Sequence, residues 1–371
     1  MSTPRNLLQT SKTIKMLNTI IVGSGSYIPE IEVENHSFIE NPFCLDDGKR
    51  IQNSNHEVIE KFKEITGIQT RRYVRDNQSC SEIASKAGKK AIADAGIDPE
   101  EIDMIIVAHN FGDVINGSNQ TDIVPSLASR VKHNLGIKNP FCVPYDIIFG
   151  CPGWIQGVIQ AHLFMRAGEV KKCLVIGAEV LSRVVDPFDR DTMIFADGAG
   201  AVILEQREEP VKRGILAHAT VSHTVEEKDY LYIGESFNRF GKDRTKYIKM
   251  KGHKIYQYSL NEVPKAMKHC MDKIGLDIHD IQKILIHQAN EKMDEAIVKR
   301  LYRSFGVNEV PENIMPMIIN KLGNSSVATV PTLYDMIVKG ELPKHSINSG
   351  DNLLFASVGA GMNINCFAYH F

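Results

Sequence analysis

The chain has 371 residues, of which 43% are hydrophobic and 24% are charged, so it is long enough for two domain-sized units with substantial cores. Lysine and arginine total 43 against 45 acidic residues, a balance that argues against nucleic acid or an anionic membrane as the main partner. The composition is that of an ordinary folded globular protein.

The seven cysteines indicate the compartment. They are odd in number, widely spaced and free of any C-x-x-C pair, which argues against a disulfide framework and a zinc site. No apolar run has the length of a membrane-spanning helix, and Met1 to Lys15 lacks the apolar segment of a signal peptide. We therefore expect a cytoplasmic protein in reducing surroundings, with no metal and no membrane insertion.

The first ordered element is predicted to be a strand over residues 19–22, after a disordered extension at residues 1–16. A turn is expected at Gly23-Ser24-Gly25-Ser26-Tyr27-Ile28-Pro29. This turn lacks the third glycine of a dinucleotide fingerprint and has a proline where a helix should run, so we predict no nucleotide site there.

Helices and a buried strand follow in alternation. Periodicity predicts helices at residues 56–65, 79–95 and 124–135, a strand at 102–108, and a polar loop at 110–121. Cys80 lies in the polar start of the second helix, so we expect it to be a surface cysteine.

A cysteine stands at the entrance of the next predicted helix. The strand-like run 145–149 stops at Gly150, and Cys151-Pro152 follow. Proline favours the first helical position, so Cys151 is expected at the helix N-terminus, where unpaired amides and the helix dipole lower a thiol pKa. The helix is apolar on more than one face, which predicts a buried central position. The alternative is a packed cysteine beside a kink, the commoner role of this residue type.

Two segments of the sequence repeat the same pattern. Residues 90–110 and 269–288 each contain a helix end, a glycine cap, an aspartate turn and a buried strand. Such an internal duplication predicts two similar αβ halves with helix-covered sheets. The charged stretch 205–213 marks the boundary, so the expected halves are residues 17–210 and 211–371.

Three weaker signals lie in the second half. A predicted buried strand ends on His287, Asn324 lies in the turn Gly323-Asn324-Ser325-Ser326, and Val358-Gly359-Ala360-Gly361 follows a strand. Strand ends collect ligands in open α/β sheets, and a glycine-rich turn can direct an N–H inward. Alone, the histidine is an ordinary core or surface residue and the asparagine an ordinary cap. They indicate a site only if they meet in space.

These motifs have the order and approximate spacing of a known family. Cys151 at a helix entrance, His287-Gln288-Ala289-Asn290, and Gly323-Asn324-Ser325-Ser326 ahead of Val330-Pro331 resemble the β-ketoacyl-acyl carrier protein synthase III family of thiolase-fold condensing enzymes. Segments Gly23 to Pro29, Thr66-Gly67-Ile68, Asp186-Pro187 and Asp197 to Ala201 also match. The resemblance implies an α/β thiolase fold with duplicated halves in a layered α-β-α-β-α architecture.

The resemblance also implies a reaction. Cys151 would take an acyl group as a thioester, and His287 and Asn324 would hold a malonyl thioester carbonyl while decarboxylation produces an enolate. Backbone N–H groups of Cys151 and Ala360 would form the oxyanion hole, with alanine where the family usually has glycine. This is decarboxylative Claisen condensation in fatty acid biosynthesis, with no bound cofactor and with acyl and malonyl thioesters of acyl carrier protein or coenzyme A as substrates.

Further positions match the family's binding surfaces. Arg183 corresponds to a phosphate-contacting arginine, His253 stands where an asparagine lines the pantetheine tunnel, and Asn290 joins this substrate-binding set. Val124 stands where a phenylalanine often reaches into the partner's acyl pocket, which implies a homodimer and room for a larger acyl chain. Lys292, Lys299 and Arg300 would form a basic face for acyl carrier protein; the alternative is a solvated helix face.

One departure keeps the acyl donor open, and several alternatives remain. Ile65 precedes Thr66-Gly67-Ile68 near where the coenzyme A enzymes of the family place a tryptophan, and the single tryptophan here is Trp154. A secondary-metabolism ketosynthase that joins β-ketoacyl units keeps the same three residues, whereas a non-catalytic carrier-protein-binding subunit usually loses one. A hydroxymethylglutaryl-coenzyme A synthase would need a glutamate where His109-Asn110 stand. A cysteine amidase would not need a duplicated fold.

Overall fold

The first half of the chain alternates strands and helices. The structure is a computed structural model that describes residues 15–241 and 244–371. Its strands here are β1 (Met16–Tyr27), β2 (Ile31–Glu34), β3 (Thr70–Tyr73), β4 (Met104–Ala108), β5 (Asp113–Val114), β6 (Thr121–Asp122), β7 (Val143–Ile147), β8 (Lys172–Val180) and β9 (Asp197–Glu209). The helices are α1 (Asn55–Thr66), α2 (Cys80–Ala95), α3 (Leu127–Asn134) and α4 (Gly153–Ala167).

The second half repeats this alternation. Its strands are β10 (Gly214–Ser222), β11 (Leu231–Glu235), β12 (Lys246–Met250), β13 (Ile281–Ile286), β14 (Asn352–Gly359) and β15 (Asn363–His370). Its helices are α5 (Gly252–Asp272), α6 (Glu291–Ser304), α7 (Ile319–Leu322) and α8 (Thr329–Val338).

Two larger sheets form the framework. The first has the order β1-β9-β8-β4-β7, with β4 parallel to both β7 and β8. The second has the order β10-β15-β14-β13, with β13 and β14 parallel. β4 is buried along its whole length, as a run of apolar residues in a sheet covered on both faces must be.

Helices cover both faces of each sheet. α4 and α8 pack between the two sheets, where Trp154 and Leu333 join Val175 of the first sheet and Phe355 of the second in one apolar cluster. α2 and α3 pack on the outer face of the first sheet, and α5 and α6 pack on the outer face of the second. The layers therefore run α-β-α-β-α, as predicted.

The duplicated segments have the same local structure. α2 is followed by Gly96 in the left-handed region (φ 63°) and by Asp98, whose side chain caps a short 3₁₀ helix before β4. α5 is followed by Gly275 (φ 65°) and by Asp277, which caps the equivalent 3₁₀ helix before β13. Glycine adopts this conformation without steric cost, and aspartate caps exposed amides, so sequence alone identified the repeat.

Two local predictions were wrong. The segment from Gly23 to Tyr27 is the second half of β1 and pairs with β9. A side chain at Gly23 would meet the Ala91 carbonyl oxygen of α2 at 2.5 Å, so this glycine permits close packing of the strand on the helix. Cys80 is only 1% exposed, because Ser79 is the N-cap of α2 and the first helical residue turns inward. Burial raises the Cys80 pKa, so this thiol is unreactive.

The predicted boundary near residue 210 falls between β9 and β10, and the division into two domains stays a prediction. Of the predicted disordered extension, residues 1–14 lie outside the described residues, and Met16 begins β1. No helix within residues 15–241 and 244–371 is long and apolar enough to cross a membrane. In the same residues, no three His, Cys, Asp or Glu side chains cluster closely enough to hold a metal ion.

Candidate active site

Cys151 lies in the turn between β7 and α4. Pro152 is the N-cap of α4 and Gly153 is its first residue, so Cys151 stands one position further from the helix than predicted. The Gly153 N–H donates to the Gly150 carbonyl, which closes the turn. α4 is buried against both sheets, so the cysteine is held on a rigid support in the middle of the protein.

The turn that precedes α8 joins two of the predicted catalytic residues. The Ser326 hydroxyl donates a hydrogen bond to Cys151 Sγ at 3.2 Å, and the Ser326 backbone N–H donates to Asn324 Oδ1 at 2.8 Å. The Asn324 N–H donates to the Ile194 carbonyl at 2.9 Å, and the Ala196 N–H donates to the Asn324 carbonyl at 2.8 Å. Asn324 is 3% exposed, so its amide is fixed in a dry environment beside the cysteine.

His287 follows β13 directly, at the end of a buried strand. Its backbone N–H donates to the Ala356 carbonyl of β14, and β14 continues to Gly359, which packs against Cys151. Burial lowers the His287 pKa to about 4, so the ring is neutral at physiological pH. Its buried Nδ1 has no hydrogen-bond partner among the described residues. A neutral ring with an unpaired nitrogen is suited to bind a polar substrate group.

Gln288 is a site residue that the sequence did not single out. Its side chain is fully buried, donates to the Pro316 carbonyl at 2.7 Å and accepts from the Ile318 and Ile319 N–H groups. It thus ties the end of β13 to the segment that leads through α7 to Asn324. The sequence pattern around Gln288 does not predict this link, because the partners of its side chain lie about 30 residues further along the chain.

The glycine-rich end of β14 packs against the cysteine turn. A β-carbon at Gly359 would lie 2.7 Å from Pro152 Cδ and 2.9 Å from Cys151 Cβ, so only glycine permits this approach. Gly150 packs against the Ala360 backbone nitrogen. The predicted oxyanion-hole residues, Cys151 and Ala360, are therefore neighbours, and the pairing of their N–H groups on one substrate oxygen stays a prediction.

The expected low pKa of Cys151 is wrong for this structure. Burial raises the pKa of the thiol to about 11, and the hydrogen bond from Ser326 lowers it only in part. The carboxyl of Glu179 raises it further. The reason is that desolvation of a thiolate outweighs the hydrogen bonds from the Ser326 hydroxyl and the Cys151 backbone N–H.

Glu179 is the second residue that sequence reasoning missed. It lies on β8, is 1% exposed, and accepts a hydrogen bond from Asn110 Nδ2 at 2.6 Å. Asn110 follows β4, the parallel neighbour of β8, so both strand ends meet at the cysteine. Burial raises the Glu179 pKa to about 8. An isolated charged residue inside an apolar strand sequence was the available signal.

Of the three predicted binding residues, two have contacts within the protein and the third is exposed. Arg183 donates from Nη1 to the Val114 carbonyl at 2.7 Å and from Nη2 to the Gln78 carbonyl at 2.5 Å, so its guanidinium is committed to backbone. His253 is exposed at the start of α5. Asn290 is the N-cap of α6 and accepts from the Met293 N–H at 3.0 Å. Substrate contacts for these three stay predictions, and the arginine would have to exchange partners to bind phosphate.

The predicted basic face lies on α6. Lys292 is exposed, Lys299 Nζ lies 3.9 Å from the Glu295 carboxylate, and Arg300 Nη1 donates to Asn261 Oδ1 at 2.6 Å. Lys299 is thus the member of this face with an acidic neighbour, whereas Arg300 keeps its full charge because its partner is a neutral amide. Carrier-protein docking at this face stays a prediction.

Trp154 belongs to the core. It is 1% exposed and its ring packs at 6.3 Å from Phe355 and from Phe367, so it is not available to stack on an adenine.

Val124, in contrast, is 83% exposed, next to the partly exposed Ile123. An apolar loop presented in this way is suited to contact a second protein surface.

The family described as 3-oxoacyl-[acyl-carrier-protein (ACP)] synthase III matches residues 145–223, and its C-terminal part matches residues 271–371. A β-ketoacyl-[acyl-carrier-protein] synthase III of Staphylococcus haemolyticus is 33% identical over 93% of this chain and 96% of its own. The chain belongs to this family.

Other members give the same result. A β-ketoacyl-[acyl-carrier-protein] synthase III of Xanthomonas campestris is 32% identical over 94% of this chain and 96% of its own. The crystal structure of 3-oxoacyl-[acyl-carrier-protein] synthase III from Aquifex aeolicus covers 95% of this chain and 100% of that one, with 27% identity and a TM-score of 0.77. The family resemblance, the thiolase fold and the acyltransferase class predicted from the sequence are confirmed.

Proposed function

We propose that this synthase III homologue loads an acyl group onto Cys151 and condenses it with a malonyl thioester, with His287 and Asn324 binding the malonyl carbonyl. The observation that carries the proposal is Ser326, which contacts Cys151 Sγ with its hydroxyl and Asn324 Oδ1 with its N–H. Cys151 and Asn324 are 173 positions apart in the sequence, and Ser326 forms a hydrogen bond with each of them.

The first half-reaction is acyl transfer. The Cys151 thiolate attacks the donor thioester, a new carbon–sulfur bond forms, and the donor's carbon–sulfur bond breaks. The departing carrier thiolate takes up the proton that Cys151 lost. N–H groups of Cys151 and Ala360 would stabilise the oxygen of the tetrahedral intermediate, because the packing of Gly150 and Gly359 brings these backbones together.

The second half-reaction is decarboxylation and condensation. The malonyl carbon–carbon bond breaks, carbon dioxide leaves, and its bonding electrons form an enolate whose carbon attacks the acyl carbon. The Cys151 thiolate then leaves the β-ketoacyl product. His287 and Asn324 suit the enolate oxygen, because a buried ring with a pKa of about 4 donates a hydrogen bond without supplying a proton that would quench the carbanion.

Acyl carrier protein and a second copy of this chain are the partners in this proposal. β7 is the edge strand of the first sheet, and Val143 on it is 52% exposed, next to Phe141, which is 83% exposed. An apolar sheet edge of this kind is normally covered. A homodimer would cover it and would place Val124 of one subunit at the acyl pocket of the other, leaving room for a longer chain than phenylalanine would.

The test is intact-protein mass after incubation with acyl-coenzyme A or acyl-carrier protein, for wild type and Cys151→Ala. Malonyl-carrier protein is then added and the products are analysed. We expect a thioester adduct on the wild type alone, discharged as a β-ketoacyl product. Adducts that discharge only with a β-ketoacyl acceptor would favour the secondary-metabolism alternative. Absence of loading from every donor would contradict the proposal and favour a carrier-protein-binding subunit.

A further inference from the structure

A polar chain of three residues reaches the cysteine from the first sheet. Asn110 Nδ2 donates to Glu179 Oε1 at 2.6 Å and to Ser326 Oγ at 3.3 Å. Ser326 Oγ in turn donates to Cys151 Sγ at 3.2 Å. Glu179 and Ser326 are 1% and 4% exposed, so water does not compete freely for these contacts. The chemistry described above does not use Glu179 or Asn110.

The directions of these hydrogen bonds follow from their donors. Glu179 accepts from the amide NH₂ of Asn110 and thereby orients it. The second amide hydrogen points to Ser326 Oγ and occupies an acceptor position of that oxygen. A hydroxyl has a single hydrogen. With its oxygen already accepting from Asn110, the Ser326 hydroxyl directs that hydrogen to Cys151 Sγ.

We propose that Ser326 is a further catalytic residue, whose hydroxyl stabilises the Cys151 thiolate, and that Asn110 and Glu179 are positioning residues that fix the direction of this hydroxyl. The inference rests on the proposed nucleophilic role of Cys151. It adds a donor to the sulfur itself, separate from the N–H groups that would bind the substrate oxygen. No proton is transferred to Ser326, whose hydroxyl hydrogen stays on its oxygen.

The backbone at Ser326 supports this role. Its φ is 53°, in the left-handed region that a residue with a β-carbon adopts at some cost. In this conformation its N–H points to Asn324 and its hydroxyl points to Cys151. Glycine would relieve the backbone cost but would lose the hydroxyl, so the residue type fits a need for the side chain.

Other titratable groups surround the cluster and enter any pH profile. Asp197 of β9 and Cys80 of α2 interact with Glu179, and Asp113 and Asp146 lie within electrostatic range of Cys80. Burial raises the pKa of Asp197 to about 6 and that of Glu179 to about 8. The effect of the Ser326 hydroxyl is therefore measured best by comparing the alkylation rates of variants at a single pH, and not from the shape of one pH–rate profile.

The first test measures alkylation of Cys151 by iodoacetamide, identified by peptide mass because Cys44 is also partly exposed. A hydrogen bond to a charged group typically shifts a pKa by about one unit, and partial compensation by nucleophilicity leaves a rate loss of about three- to tenfold in Ser326→Ala. Ser326→Gly should show the same loss without backbone strain. Ser325→Ala is the matched control, because Ser325 Oγ lies 3.3 Å from Thr329 Oγ1.

The second test separates orientation from charge at residue 179. In Glu179→Gln an acceptor oxygen for Asn110 remains, so below pH 8, where the carboxyl is largely protonated, the alkylation rate should match that of wild type. Above pH 8 the rate should exceed that of wild type, since the Glu179 carboxylate raises the Cys151 pKa. In Glu179→Leu the amide loses its acceptor, and the rate should fall as in Ser326→Ala. Equal loss in both variants would contradict positioning by hydrogen bonding.

These outcomes are independent of the proposed condensation. Alkylation needs no acyl donor, so it reports on the sulfur even if the substrates are wrong. A folded Ser326→Gly with a wild-type alkylation rate would overturn the inference and leave the proposed function intact. In the acyl-loading assay Ser326→Ala and Ser326→Gly should slow the first half-reaction, whereas the control Ser325→Ala should load at the wild-type rate.

Discussion

The Ser326 hydroxyl lies 3.2 Å from Cys151 Sγ, although 175 residues separate them in the chain. This contact joins the α4 entrance, which belongs to the first half of the duplicated fold, to the α8 entrance, which belongs to the second. The Cys151 sulfur therefore lies where the entrances of α4 and α8 meet. Its reactivity depends on groups from both of them.

The resting Cys151 thiol should be mostly protonated at neutral pH, because burial raises its pKa to about 11. Below that value the thiolate fraction grows about tenfold per pH unit, so the alkylation rate should rise with that slope between pH 7 and 9. Stopped-flow or mass-spectrometric alkylation kinetics measure it. An alkylation rate that stops rising at or below pH 8 would contradict this prediction. It would mean that the Cys151 thiolate is stabilised by more than the contacts described here.

His287→Ala should lose condensation and keep acyl loading. Removal of one donor to a developing oxyanion typically lowers a rate by about 100-fold or more, whereas transfer to Cys151 does not need this ring. Intact mass reports loading, and β-ketoacyl product formation reports condensation. His162→Ala is the matched control, because burial lowers its pKa to about 4 as well, yet it lies far along α4 beside Thr19. Equal losses in both would indicate a structural cause.

What sequence could predict here was local. The helix–glycine–aspartate–strand repeat, the strand that ends on His287 and the cysteine at a helix entrance all follow from patterns within about 20 residues. The link from Glu179 to Ser326 through Asn110 joins three distant segments, and no periodicity encodes which strand ends meet. Cys80 was misjudged because its polar neighbours cap the helix and do not show which way its first turn faces.

Gly359→Ala should disable the site through sterics. The added β-carbon would lie 2.7 Å from Pro152 Cδ and 2.9 Å from Cys151 Cβ, so the cysteine turn or the end of β14 must move. Overpacking of this kind costs about 1–3 kcal/mol, and loading of Cys151 should fall with it. Gly252→Ala is the control, because no atom lies within 4 Å of a β-carbon there. Wild-type loading in Gly359→Ala would show that the approach is not needed.

Lys249 of β12 forms a buried ion-pair cluster with two aspartates, and removal of its charge should lower the stability of the protein. Lys249 Nζ lies 2.5 Å from Asp186 Oδ2 and 3.0 Å from Asp189 Oδ2, and its side chain is 1% exposed. Lys249→Met leaves two buried carboxylates without their cation, which should cost about 3–5 kcal/mol in the free energy of unfolding at pH 7.5. Lys268→Met, at a more exposed pair with Asp272, should cost less than about 1 kcal/mol.

The loss of unfolding free energy in Lys249→Met should also depend on pH. The direction of this dependence shows whether the unpaired carboxylates cause the loss. Burial already raises the Asp189 pKa to about 6, above its ordinary value of 3.8, and loss of the lysine removes the contact that opposes this rise. A carboxyl whose folded pKa is raised favours the folded state at low pH and opposes it as the pH rises through that pKa. Urea unfolding at pH 7.5 and 5.5 should therefore show a smaller difference between wild type and variant at pH 5.5. An equal difference at both values would mean that lost packing, and not the unpaired carboxylates, is responsible.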